Sequence, residues 1–397
     1  MQIMISPFSI GRLPRIVFGA GCIADVPCLA AHYGSRLLIV TGSRSFVNSD
    51  AWTTLSRELA RRAFTWQRVH VAGEPSPGLI DDTVRDFRGT HFDCVLGIGG
   101  GSSLDAAKAI AGLLRPGNSV LDHLEEVGPE LPYQGPATPF IAVPTTAGTG
   151  SEATRNAVLS IQGADGFKRS FRDDKLVAEY AVIDPDLLTT CPNQVLAANG
   201  MDAYTQLLES YVSSKANPFT DALALSGLEA ARDALLPWYE GTGDLAGHRA
   251  NMAYAALLSG ITLAQVGLGS VHGLASPLGA FFPIPHGVIC GTLVAEATRV
   301  NLEVLSARAP EHPARARYAE VGRLMAGRPL TDMEAQVSLV ALLESWTRRL
   351  NLPRLATYGV AEADIERIVA NSRGSSMKTN PILLTDAEIA SIVRARL

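Results

Sequence analysis

Four short apolar runs, set apart by helical patterns, constrain this chain more than any other feature. Arg36–Thr41, Gln67–Ala72, Asp93–Ile98 and Phe140–Val143 read as strands; the third runs into Gly99-Gly100-Gly101 and the fourth stops at Pro144. Between them, stretches such as Ser49–Phe64 and Asp105–Leu114 carry the period of helices. Strands alternating with helices build βαβ units and a mostly parallel sheet. Runs this short and apolar fit a sheet covered on both faces. The texture changes at Ile183-Asp184-Pro185. Beyond it Leu196–Ser213, Ala222–Leu235, His248–Leu263, Glu334–Leu350 and Ala361–Asn371 all read as helices. The expected architecture is an α/β domain over residues 1–187 followed by an all-α domain over 188–397.

Composition narrows the function classes. With 397 residues the chain can bury a large core without staples, and 47% hydrophobic residues argue against disorder. The 34 basic and 39 acidic residues leave a net charge of −5, and no basic run exceeds Arg61-Arg62 or Lys168-Arg169. Nucleic acid is therefore not expected as a partner. The five cysteines, Cys22, Cys28, Cys94, Cys191 and Cys290, show no C-x-x-C pair and read as buried free thiols of a reducing cytosol. Met1–Gly21 lacks the pattern of a signal peptide. The longest apolar stretch, Leu274–Ala295, is broken by Pro277, Pro283, Pro285 and His286, so no membrane span is expected. A cytoplasmic location follows as the expectation.

Two turns and one scattered set of residues carry the chemistry. Gly99-Gly100-Gly101-Ser102-Ser103-Leu104-Asp105 leaves a strand and opens a helix. Glycines let backbone amides approach a phosphate, the helix start favours an anion, and Ser102 is a candidate cap. A plain strand-to-helix turn is the alternative. Pro144–Glu152 follows the next strand with Thr145, Thr146, Thr149 and Ser151, hydroxyls suited to lining a cofactor or to a polar loop. Ligands of open sheets bind at such strand ends. In the second half Asp202 and Gln206 share a helix face, and His272 and His286 lie near turns. One aspartate and two histidines suit a divalent cation such as Fe²⁺ or Zn²⁺, while a histidine beside a turn serves equally as a structural residue.

Taken in order, Pro14-Arg15-Ile16-Val17-Phe18-Gly19, Gly99–Asp105, Pro144–Glu152, Ile183-Asp184-Pro185, Asn199–Ala203 and His272–Gly287 resemble the iron-containing (group III) alcohol dehydrogenases. Their superfamily also holds glycerol dehydrogenase and dehydroquinate synthase. The resemblance spans nearly the whole chain. It implies a Rossmann-like dinucleotide-binding domain followed by a helical metal-binding domain. It also implies NAD(P)-dependent interconversion of a small aldehyde or ketone and its alcohol. Gly100, Gly101 and Ser102, with Asp105 in the same turn, would hold the pyrophosphate; Thr145, Thr146 and Thr149 would lie along the cofactor, with Lys168 near it. Asp202, His272 and His286 match three of four usual metal ligands. A homodimer or larger homo-oligomer is the expected assembly.

The chain departs from this pattern at two residues. Gln206 stands where the fourth ligand is histidine, and Ser276 replaces a histidine suited to moving the alcohol proton. Gln206 or water is the expected fourth ligand, with Ser276 and water as the proton route. A metal-independent reductase of the maleylacetate reductase type is the alternative, and a dehydroquinate synthase-like lyase or cyclase a further one. After the first strand, Gly42 stands where NAD-preferring members often carry aspartate. With Ser43 and Arg44 as donors to a 2′-phosphate, the cofactor expectation leans to NADP(H) over NAD(H). Arg155, Arg373 and Lys378 are candidate partners for an anionic carbonyl substrate. Ser375–Pro381 resembles a stretch of several family members, with no role attached.

Overall fold

The computed structural model describes residues 6–42 and 45–397. Among the described residues eight strands form two sheets: β1 (Arg15–Phe18), β2 (Arg36–Gly42), β3 (Thr65–Val71), β4 (Cys94–Gly99), β5 (Phe140–Pro144), β6 (Asn156–Ile161), β7 (Phe167–Arg172) and β8 (Tyr180–Ile183). Six lie parallel in the order β1-β8-β5-β4-β2-β3, and β6 and β7 pair as an antiparallel hairpin. Helices α1 (Val26–Ala31), α2 (Asp50–Arg61), α3 (Pro77–Asp86) and α4 (Gly101–Leu113) connect the first five strands. Successive strand residues feed opposite layers, as the pleat requires. Leu38, Val40 and Val95 join Ala106, Ala107 and Ile110 in one core. Leu37, Ile39, Leu96 and Ile98 join Leu55 and Leu59 in the other. The sheet is thus covered on both faces, as its short apolar strands indicate.

The second half is helical: α5 (Asn193–Val212), α6 (Pro218–Glu240), α7 (Leu245–Val266), α8 (Ser270–Phe281), α9 (His286–Arg308), α10 (Ala314–Ala326), α11 (Asp332–Arg349), α12 (Ile365–Ala370) and α13 (Asp386–Arg394). Capping boxes start α6 at Asn217, α11 at Thr331 and α13 at Thr385. Among the described residues no single helix is long and apolar enough to cross a membrane.

Several elements escape the sequence pattern. β1 is an edge strand of four residues, three of them exposed, and its apolar run Ile16–Phe18 is too short to stand out as a strand. α8 runs through Pro277, a residue that reads as a breaker. The α/β unit comprises Gly11–Ile161 and Gly166–Cys191, and the helical unit Pro192–Leu397 together with Gln162–Asp165 and the described residues before Gly11. The division falls after Cys191 rather than at residue 187. The short helix Pro185–Leu188 stays with the sheet through Asp184, whose carboxylate accepts from Gly21 N, Ile23 N and Asp186 N.

Candidate metal centre and dinucleotide turns

In the helical unit the site begins with α5, which is buried along nearly its whole length. Asp202 on this helix is fully buried. α9 passes close by because Gly287 and Gly291 carry no side chains. A Cβ on Gly287 would stand 2.4 Å from Ala198 O, and one on Gly291 2.7 Å from Met201 Cβ. His286 and Cys290 are the residues next to these glycines, four apart and therefore on one helix face. α8 supplies His272. Donor atoms of Asp202, His272, His286 and Cys290 all lie within 4.8 Å of one another.

Outer contacts orient this group. Glu209, two turns after Asp202 on α5, accepts from His272 Nδ1 at 2.6 Å and from Val271 N at 2.7 Å. That bond fixes the ring so that Nε2 is the lone-pair nitrogen turned inward. His272 Nε2 stands 3.2 Å from Asp202 Oδ1, and His286 Nε2 3.8 Å from the same oxygen. A lone pair facing a carboxylate oxygen at this distance calls for positive charge between them, either a proton or a metal. Burial works against a cation on His272, but Cys290, Asp202 and Glu209 outweigh it and raise the ring well above its ordinary value. Burial likewise works against the Asp202 carboxylate, yet His286 and His272 hold it down to about 2. Burial pushes the Cys290 thiol up to about 12.

The residues fit a divalent cation. Four donors of mixed oxygen, nitrogen and sulfur character converge, and Asp202 Oδ2 is buried with no hydrogen-bond partner. Such an orphaned oxygen costs stability unless a ligand satisfies it. Gln206 is placed differently from a ligand. Its Nε2 donates to Asp202 Oδ1 at 3.2 Å, and its Oε1 accepts from Ser259 Oγ at 2.8 Å. The amide turns its nitrogen to the cluster and spends its oxygen elsewhere, so Gln206 orients Asp202. Ser276 is partly buried one turn after His272 on α8. The Ser375–Pro381 stretch holds the start of α8. Asn380 Oδ1 accepts from Ser270 N, and Thr379 Oγ1 donates to Leu268 O.

In the α/β unit the two turns meet. Gly100 caps α4 and supplies no side chain to its first turn, whose leading N–H groups have no partner within a helix. Ser102, a candidate cap in sequence, lies inside the helix instead. A Cβ on Gly101 would stand 2.6 Å from Thr149 Cγ2, and one on Gly100 3.3 Å from Thr146 Oγ1. Thr145 N donates to Gly99 O, and Gly42 ends β2 beside Gly99. Bare backbone at a helix start beside threonine hydroxyls fits a pyrophosphate.

Beneath these turns, fully buried Lys108 donates to Ser151 O, Ser151 Oγ, Thr154 Oγ1 and Asn156 O. Burial pulls Lys108 down to about 8 and pushes Glu152 up to about 7. Asp105, expected at the cofactor, is engaged instead by the Ser151 hydroxyl and the Lys108 ammonium, because it faces the second loop from the helix interior. Lys168 pairs with Glu74 at 3.1 Å. Ser43 and Arg44 lie outside the described residues. Arg155 and Arg373 are paired with Asp174 and Asp386, and Lys378 is exposed.

Lys108, Glu209 and Cys290 are absent from the sequence-derived site. Each acts through a partner distant in the chain, and only the four-residue step from His286 to Cys290 left a trace. Of the five cysteines, Cys94 and Cys290 are buried, Cys22 and Cys191 are partly so, and Cys28 is exposed, which corrects the expectation that all five are buried.

Comparison with known proteins follows the same two units. The family model for iron-containing alcohol dehydrogenase matches residues 14–185, and that for the C-terminal part of the Fe-containing alcohol dehydrogenase family matches residues 196–397. The NAD-dependent methanol dehydrogenase of Bacillus methanolicus is 30% identical, with 96% of this chain and 97% of that protein covered. The 1,3-propanediol dehydrogenase of Klebsiella pneumoniae is 31% identical, with 91% of each covered. A solved 1,3-propanediol oxidoreductase matches with a TM-score of 0.88 at 27% identity, covering 99% of this chain and 100% of its own.

Proposed function

This chain belongs to the iron-containing alcohol dehydrogenases, and from that premise we propose that it interconverts a small aldehyde or ketone and its alcohol, using a nicotinamide dinucleotide and one divalent cation. The convergence of donor atoms from Asp202, His272 and His286, with the second Asp202 oxygen buried and unpartnered, carries the reading. When bound, the cation supplies charge to polarise the substrate oxygen, and the nicotinamide supplies or accepts the hydride.

The chain's own residues do the rest. Asp202, His272 and His286 would hold the cation, with Glu209 fixing the His272 tautomer and Gln206 aiming Asp202. Gly100 and Gly101 present backbone N–H groups to the pyrophosphate, and Thr145, Thr146 and Thr149 lie along the dinucleotide. Ser276 Oγ, one turn from His272, passes a proton between the product oxygen and water. Gly42 offers no carboxylate to repel a 2′-phosphate, which supports NADP(H) as the preferred cofactor.

The test is anaerobic loading with Fe²⁺, followed by NADPH and NADH oxidation against a series of small aldehydes. Turnover in the wild type, lost in Asp202→Ala, is expected. Full turnover after complete metal removal would overturn the metal-dependent reading, and equal efficiency with the two cofactors would overturn the NADP(H) preference.

A further inference from the structure

We propose that Cys290 is a ligand of the catalytic cation, so that the donor set of this protein is one carboxylate, two imidazoles and one thiolate. The proposal rests on the metal-dependent reading above. It adds a ligand that is absent from the sequence-derived set and gives Gln206 a different task.

Three observations carry it. First, Cys290 is fully buried and its Sγ stands 3.6 Å from His272 Nε2 and 3.7 Å from His286 Nε2. Around a tetrahedral cation with metal–sulfur bonds of about 2.3 Å and metal–nitrogen bonds of about 2.0 Å, sulfur and nitrogen stand about 3.5 Å apart. Both edges already have nearly that length. Second, Asp202 turns Oδ1 to both imidazoles while its Oδ2 is buried with no partner, so the carboxylate keeps unused donor capacity for a cation. Third, the amide at Gln206 faces Asp202 with its nitrogen, and its oxygen accepts from Ser259. The imidazole lost from α5 is thus matched by a thiol on α9, one turn after His286.

The chemistry follows from the donor. Coordination requires the thiolate, so binding releases the thiol proton to solvent. A sulfur donor in a four-coordinate set favours Zn²⁺ or Co²⁺ over harder cations that prefer oxygen.

The direct test is X-ray absorption at the zinc edge of the intact protein loaded anaerobically with one Zn²⁺ per chain. One sulfur scatterer at about 2.3 Å beside nitrogen and oxygen neighbours is expected. A shell of light atoms alone overturns the proposal while leaving the Asp202, His272 and His286 site in place. Failure to retain zinc overturns both that site and the proposal. In Co²⁺-loaded protein a sulfur-to-cobalt charge-transfer band is expected in the wild type and lost in Cys290→Ser and Cys290→Ala. Zinc affinity by chelator competition should fall at least tenfold in each variant, with circular dichroism showing that the fold is kept. A band that survives in a folded Cys290→Ala protein would assign the sulfur elsewhere and sink the proposal.

Discussion

Glu209 shows how much of the centre depends on residues that never touch a cation. Its carboxylate holds His272 Nδ1 and the Val271 amide together, so it sets both the ring's tautomer and the start of the helix that carries it. Removing such a partner typically weakens metal binding about 10–100-fold. Glu209→Gln should therefore lower zinc affinity in chelator competition by that order while leaving the thermal midpoint of the metal-free protein nearly unchanged. Asp202→Asn keeps the volume but removes the charge that balances two imidazoles, and retained metal after desalting should fall to background.

Helices and loops act at the next scale. α4 and the Pro144–Glu152 loop approach each other so closely that Gly101 has no room for a methyl group against Thr149. Gly101→Ala should push the loop away, cost about 1–3 kcal/mol as other overpacked contacts do, and raise KM for the dinucleotide more than it lowers kcat. Lys108 ties α4 to the same loop from below through two hydrogen bonds to Ser151, and to the residues after it through Thr154 and Asn156. Lys108→Met leaves Asp105 and Glu152 without their buried cation. A loss of about 3–5 kcal/mol in urea unfolding is the expected result. On the helical side, Asn380→Ala frees Ser270 N at the head of α8.

Across the whole molecule, that buried network gives folding a pH dependence. Burial raises Glu152 from 4.5 to about 7, so the folded chain holds its proton more tightly than the unfolded chain. The contribution to stability is full below pH 4.5 and is lost as pH rises through about 7. Glu152→Gln should lack this fall, and the two proteins' unfolding free energies should diverge by roughly 3 kcal/mol across the window. Parallel pH dependences would show that Glu152 is ionised throughout.

Features encoded within a few neighbouring residues are legible before folding. The α/β-then-α order is local because periodicity and turn residues repeat within a few positions: the four apolar runs became β2 to β5, and five helical stretches became α5, α6, α7, α11 and α12. The glycine-rich turn was legible for the same reason, since a strand end, glycines and a helix start are contiguous. Asp202, His272 and His286 could be named as candidates, because their residue types and motifs are contiguous too. Which side chains meet depends on packing between elements far apart in the chain. The sequence offers Gln206 as the fourth ligand and Cys290 only as a free thiol, yet helix packing turns the amide oxygen toward Ser259 and seats the sulfur beside both imidazoles. Asp105 was drawn from the expected cofactor site into the Lys108 network for the same reason. A ligand set is a property of distances across the core, and those follow from how closely Gly287 and Gly291 let two helices approach.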